Sequence, residues 1–122
     1  YEHPVIDLLL AERNPWGIAV VAVTACIAAP VGEELFFRRI LQGWLEKLIP
    51  SADGMWAIGL ASLAFAAAHA GQGLAYIPLF PLGFVLGVLA RRTGSIIPSI
   101  LLHALFNAVS VTLLLAAPLT EK

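Results

Sequence analysis

Ala19-Val20-Val21-Ala22-Val23-Thr24-Ala25-Cys26-Ile27-Ala28-Ala29-Pro30-Val31-Gly32-Glu33-Glu34-Leu35-Phe36-Phe37-Arg38-Arg39 is an apolar run that ends on two carboxylates and two guanidinium groups. It lies in a longer stretch, Trp16 to about Leu48, that exceeds the roughly 20 apolar residues a helix needs to cross a bilayer. The run shows no period-2 alternation, and lipid requires each backbone group to be bonded within its own segment, so helix is the state that fits. Pro30 removes a backbone donor and predicts a kink just before the charges.

Three further stretches read the same way: Met55 to about Ala70, Leu74 to Ala90, and Ile96 to Ala116. Ile49 to Gly54 and Gly71-Gln72-Gly73 are turns by composition. Arg91-Arg92-Thr93-Gly94-Ser95 closes one helix with cations, and Ser95 caps the next. Gly83 and Gly87 suit close helix packing. The expected fold is all-α, a bundle of about four spanning helices forming one membrane domain over residues 1–122. The first residue is Tyr1 rather than Met and no signal peptide precedes the first apolar stretch, so further helices are expected upstream.

Composition narrows the function classes. Of 122 residues, 60% are hydrophobic and 12% charged, an apolar balance that makes lipid the partner. The net charge of -1, without a basic cluster, argues against nucleic acid. The single cysteine, Cys26, can form no intrachain disulfide and reads as a small packing residue. Lys47, Arg91 and Arg92 gather on one side, whereas Arg13 and Lys122 on the other stand beside Glu2, Asp7, Glu12 and Glu121. The positive-inside rule places the first side in the cytoplasm. Trp44 and Trp56 mark that boundary and Trp16 the other. His3 reads as surface.

Ionisable groups inside spans carry the functional information, because each costs at least about 2.5–3.5 kcal/mol at bilayer depth. At about 1.5 Å per residue, Glu33 lies ~16 Å below the cytoplasmic boundary, His69 ~20 Å, His103 ~12 Å and Asn107 ~18 Å, so three helices bring polar groups to one level. His103 and Asn107 are i and i+4 and share a helix face, as do Glu34 and Arg38. Glu33 and Glu34 diverge by about 100° and are expected to have different tasks.

A carboxylate and an imidazole at one depth can hold and deprotonate a water for attack on a carbonyl. Glu33 is the candidate general base, His69 orients the water, and His103 with the Asn107 amide offers oxyanion donors. The same atoms of Glu33, His69 and His103 would satisfy a divalent metal such as Zn2+, and the sequence weighs metal-dependent and metal-free chemistry equally. The His-Glu-x-x-His pattern is absent. Arg38 reads as the neutralising partner of Glu34 or Glu33, and Arg39 as a snorkelling cation. Phe36, Phe37, Phe65 and Phe106 read as packing, and Ser62, Ser99 and Ser110 lack a base at a suitable spacing.

Glu33-Glu34-Leu35-Phe36-Phe37-Arg38, Phe65-Ala66-Ala67-Ala68-His69 and His103-Ala104-Leu105-Phe106-Asn107 resemble, in order and separation, the E-E-x-x-x-R, F-x-x-x-H and H-x-x-x-N motifs of the CPBP family. That family, also called Abi, comprises CAAX prenyl proteases and bacteriocin-processing or immunity membrane proteins. The resemblance implies an intramembrane endopeptidase. Glu33 and His69 would activate water, His103 and Asn107 would form the oxyanion site, and Glu34 and Arg38 would support them. The implied substrate is a prenylated protein or another membrane-associated peptide. Two alternatives are a non-catalytic immunity or scaffold protein of the same fold and an ion or proton carrier.

Overall fold

The computed structural model describes residues 14–116, and each regular element among them is helical. His3, Arg13 and the terminal acidic residues used above for orientation lie outside the described residues. α1 runs from Pro15 to Leu48, α2 is Met55–Ala68, α3 is Tyr76–Thr93 and α4 is Ile97–Ala116. A 3₁₀ segment, Ala70–Ala75, joins α2 to α3. The four expected helices are present, with bounds within three residues of those read from composition.

Local chemistry sets the ends. The Asn14 side chain accepts from the Trp16 N–H at 3.1 Å, and Pro15 occupies the first turn of α1, where its missing donor costs nothing. Asp53 Oδ1 accepts from the Met55 N–H at 3.1 Å and starts α2, which holds its carboxylate below the usual range. Gly54 between them sits at φ 68°, and a Cβ there would lie 2.5 Å from Arg91 Cζ. Ser95 Oγ accepts from the Ile97 N–H at 3.2 Å, so the expected cap of α4 is present.

Pro30 does not break α1. The chain widens into a π-helical turn over Thr24–Ala28, in which the Ala29 N–H bonds to the Thr24 carbonyl. A second π-helical stretch, Leu35–Gln42, follows the two glutamates. Such turns re-aim side chains and are frequent at functional sites.

α2 packs along α3 and against the Leu35–Gln42 part of α1, while α4 packs against α3 and the Thr24–Glu34 part of α1. Ile58, Ser62 and Phe65 on α2 face the glycines of α3, while Ala57 and Ala61 pack with Leu45 of α1. A Cβ on Gly87 would meet Gln42 Oε1 at 2.8 Å and Ile58 Cγ2 at 2.9 Å, and one on Gly83 would meet Phe65 Cδ1 at 3.0 Å. The two glycines thus permit the close approach that their spacing suggested.

Beside an apolar core that includes Ile58, Phe65 and Leu86, several polar side chains are buried and many large apolar ones are exposed. Glu34, Arg38, Gln42, Ser62, Ser99 and His103 are buried, whereas Val20, Ile27, Ile40, Leu63, Leu101, Leu105 and Leu113 are exposed. α1 is the one described helix long and apolar enough to cross a membrane by length and composition; Met55–Ala68 and Ile97–Leu113 are shorter apolar helices. Phe36 and Phe106, read as packing, are 52% and 37% accessible, and the Phe36 ring meets that of Phe37 edge-on at 5.0 Å.

Candidate active site

The two adjacent glutamates take different environments. Glu34 is fully buried. Its Oε1 accepts from His103 Nδ1 at 3.0 Å, and its Oε2 lies 3.1 Å from Arg38 Nε, one turn along α1. The sequence left Arg38 a choice between two carboxylates, and the structure pairs it with Glu34. Glu33 is partly accessible, with its Oε2 3.6 Å from His103 Nε2 and 3.9 Å from His69 Nε2. Glu33, His69 and His103, from α1, the end of α2 and α4, therefore meet at one point.

The partners of the far ring nitrogens fix the tautomers. His69 terminates α2 with φ -100° and ψ 6°, and its Nδ1 lies 2.8 Å from the Phe65 carbonyl oxygen, which can only accept. This bond satisfies a last-turn carbonyl of the helix and turns Nε2 toward Glu33. His103 Nδ1–H donates to Glu34, which likewise turns its Nε2 toward Glu33. Both separations to Glu33 exceed a direct hydrogen bond.

Asn107 has a backbone partner. Its Nδ2 donates to the Ala25 carbonyl at 2.8 Å. Pro30 explains why that oxygen needs a donor. The Ala29 N–H is bonded to Thr24 in the π-helical turn, and residue 30 has no N–H to offer in its place. One amide hydrogen of Asn107 thereby compensates for a proline on another helix.

Two residues matter more than their sequence context indicated. Phe65 is fully buried, with its ring centroid 4.9 Å from that of His69, 5.5 Å from His103 and 5.3 Å from Phe37, and with Arg38 Cζ 5.0 Å above it. It is a wall of the site as well as packing. Gln42, 3% exposed, donates to the Gly87 carbonyl and to Glu46 Oε1, both at 3.2 Å. Its position two turns beyond Glu34, on the buried face of α1, is the signal that could have found it.

Ser62 and Ser99 donate to the carbonyls of Ile58 and Leu86 at 2.6 and 3.0 Å, and Ser110 donates to Phe106 at 2.9 Å. These hydroxyls serve the helices. Among the described residues no group of three or more His, Cys, Asp or Glu side chains is arranged to hold a metal ion.

No curated protein and no solved structure matches the chain. A family profile, described as type II CAAX prenyl endopeptidase Rce1-like, matches residues 15–109, a span that includes each of the three motifs. The meeting of Glu33 with two imidazoles and this match over most of the sequence lead to one assignment: the chain belongs to the Rce1-like family of type II CAAX prenyl endopeptidases.

Proposed function

We propose that the chain is a multi-pass intramembrane endopeptidase whose Glu33 activates water against a peptide bond of a prenylated or other membrane-associated protein, from a site open to the cytoplasmic side. The observation that carries this reading is the convergence of His69 Nε2 and His103 Nε2 on Glu33 Oε2, with each far nitrogen tied down. The many exposed large apolar side chains favour lipid around the helices.

The chemistry follows from the tautomers. A water between Glu33 and His69 donates one hydrogen to the carboxylate and the other to the bare His69 Nε2, which aims its lone pair at the scissile carbonyl. Glu33 takes the proton as the C–O bond forms and returns it to the departing amine as the C–N bond breaks. His103 in its charged form presents Nε2–H to the oxyanion, with Glu34 stabilising the cation. Glu33, Glu34, Arg38 and charged His103 then sum to zero, the arrangement a low-dielectric site favours. Asn107 acts as a positioning residue through Ala25 in place of the oxyanion role its motif implied. No step requires a metal ion, and the Zn2+ alternative read from Glu33, His69 and His103 forms no part of this mechanism.

The test is cleavage of a prenylated peptide by the purified protein. Glu33→Gln and His69→Ala each lower turnover at least about 100-fold, the scale of lost acid-base help. Chelator leaves the wild type unchanged. Full activity in either variant ends this reading, and chelator-sensitive activity replaces it with the metal version.

A further inference from the structure

Arg39 stands apart from the charges around it. It is exposed on α1, and no ion pair or hydrogen bond among the described residues engages it. Its neighbour Arg38 is held inside the bundle by Glu34 and the Phe65 ring. Arg39 precedes the end of α1 at Leu48 by nine residues, about 13.5 Å along the axis, a depth at which a guanidinium without an anion or water beside it is costly. It lines an open cavity of about 680 Å³ between α1 and the α3–α4 connection, within the roughly 300–1,000 Å³ of ligand pockets.

The charges of that lining do not cancel. Glu46, its one carboxylate, is held by Arg91 at 3.1 Å and by Gln42 at 3.2 Å, and Arg38 is balanced by Glu34. Arg39 remains as one uncompensated positive charge. Ser95 adds a donor, since its Oγ accepts from the Ile97 N–H and its own hydrogen meets no acceptor among the described residues. Leu35 and Ile97, 46% and 62% exposed, add apolar surface beside these polar groups.

We propose that this cavity holds the phosphate of an anionic phospholipid, with Arg39 as its counter-ion and Leu35 and Ile97 against the first carbons of an acyl chain. The inference goes beyond peptide hydrolysis and needs only that the helices stand in a bilayer. A guanidinium offers phosphate oxygens paired N–H donors, and its long stem lies on apolar surface while the charge reaches headgroup level. Basic cavities between spanning helices suit anionic head groups for this reason. Charge selects the lipid. A zwitterionic head group brings its own ammonium and leaves Arg39 uncompensated, whereas one that carries a single net negative charge closes the balance. The bound lipid bridges α1 to the connection that begins α4, and His103 lies on α4. It thus braces a helix of the reacting site without touching the reacting groups.

The experiment is native mass spectrometry of the full chain released from nanodiscs of phosphatidylglycerol and phosphatidylcholine in equal parts, with matched acyl chains. Phosphatidylglycerol is retained over phosphatidylcholine by about five-fold, the worth of one arginine near an anionic membrane. Arg39→Gln brings that ratio to within about two-fold of unity. Arg92→Gln removes the same charge from α3 outside this cavity and leaves the ratio within about two-fold of wild type. Gly43 lines the cavity, and a Cβ on it would meet nothing within 4 Å, so Gly43→Leu fills the space with no change of charge and lowers the ratio at least about three-fold. A ratio near one in the wild type overturns the inference. An equal loss in Arg39→Gln and Arg92→Gln also overturns it, in favour of diffuse surface charge. Displacement of the retained lipid by millimolar inorganic phosphate assigns the cavity to a free anion and overturns the lipid assignment. Each of these results is independent of whether the protein cleaves a peptide.

Discussion

Replacing Asn107 by alanine is expected to act on α1 before it acts on any substrate. The lost bond is the 2.8 Å contact from Nδ2 to the Ala25 carbonyl, an oxygen that neither Ala29 nor Pro30 can serve. Inter-helix hydrogen bonds in bilayers contribute about 0.6 kcal/mol on average and up to about 1.7. An acceptor left without a donor costs about 1–3 kcal/mol. Together these give a destabilisation of about 1–2 kcal/mol for Asn107→Ala. Pro30→Ala restores a backbone N–H. Whether the turn stays π-helical, with residue 30 donating to Ala25, or relaxes to α, with Ala29 donating there, the orphan is satisfied. In the Pro30→Ala background, Asn107→Ala should then cost less than half as much, a coupling of about 1 kcal/mol for contacting groups. Denaturant titration of the four proteins in bicelles measures stability, and peptide cleavage by the same samples measures activity. An Asn107→Ala defect of equal size in both backgrounds, with unchanged stability, would refute this reasoning and return Asn107 to the oxyanion.

Glu34→Ala strands both the Arg38 guanidinium and the His103 N–H in the interior, and should cost about 3–5 kcal/mol, seen as a lowered unfolding midpoint. Glu34→Gln keeps an acceptor for His103 but not the charge; it should fold and turn over at least ten-fold more slowly, because the imidazolium loses its counter-charge. Gly87→Ala drives a Cβ into Gln42 and Ile58, and should destabilise by about 1–3 kcal/mol.

Much of this arrangement is legible in the sequence. Helix ends follow from Ile49 to Gly54 and from Arg91 to Ser95, where turn residues and cations interrupt apolar runs. Depth follows from counting residues, and counting brings Glu33, His69 and His103 to one level, where the structure joins them. Counting gives height and not bearing. It could not decide between Glu33 and Glu34 as the partner of Arg38, because the π-helical stretch after Glu34 changes the angle at which later side chains leave α1. It could not place Phe36 or Phe106, because lipid and a packed interior accept the same side chains. The partner of Asn107 was recoverable in principle. A proline within a helix frees an acceptor one turn upstream, and a nearby amide is its natural donor; that the acceptor is Ala25, five residues back, follows from the π-helical turn.

Phe65 is a contact shared by two kinds of charged or polar group. The guanidinium of Arg38 lies over the ring, and both imidazoles pack against it. Cation and imidazoles thus lean on one buried plate from three helices, and a displacement of the plate moves all of them together. A smaller residue at that position would loosen the three at once while leaving each acid and base in the chain.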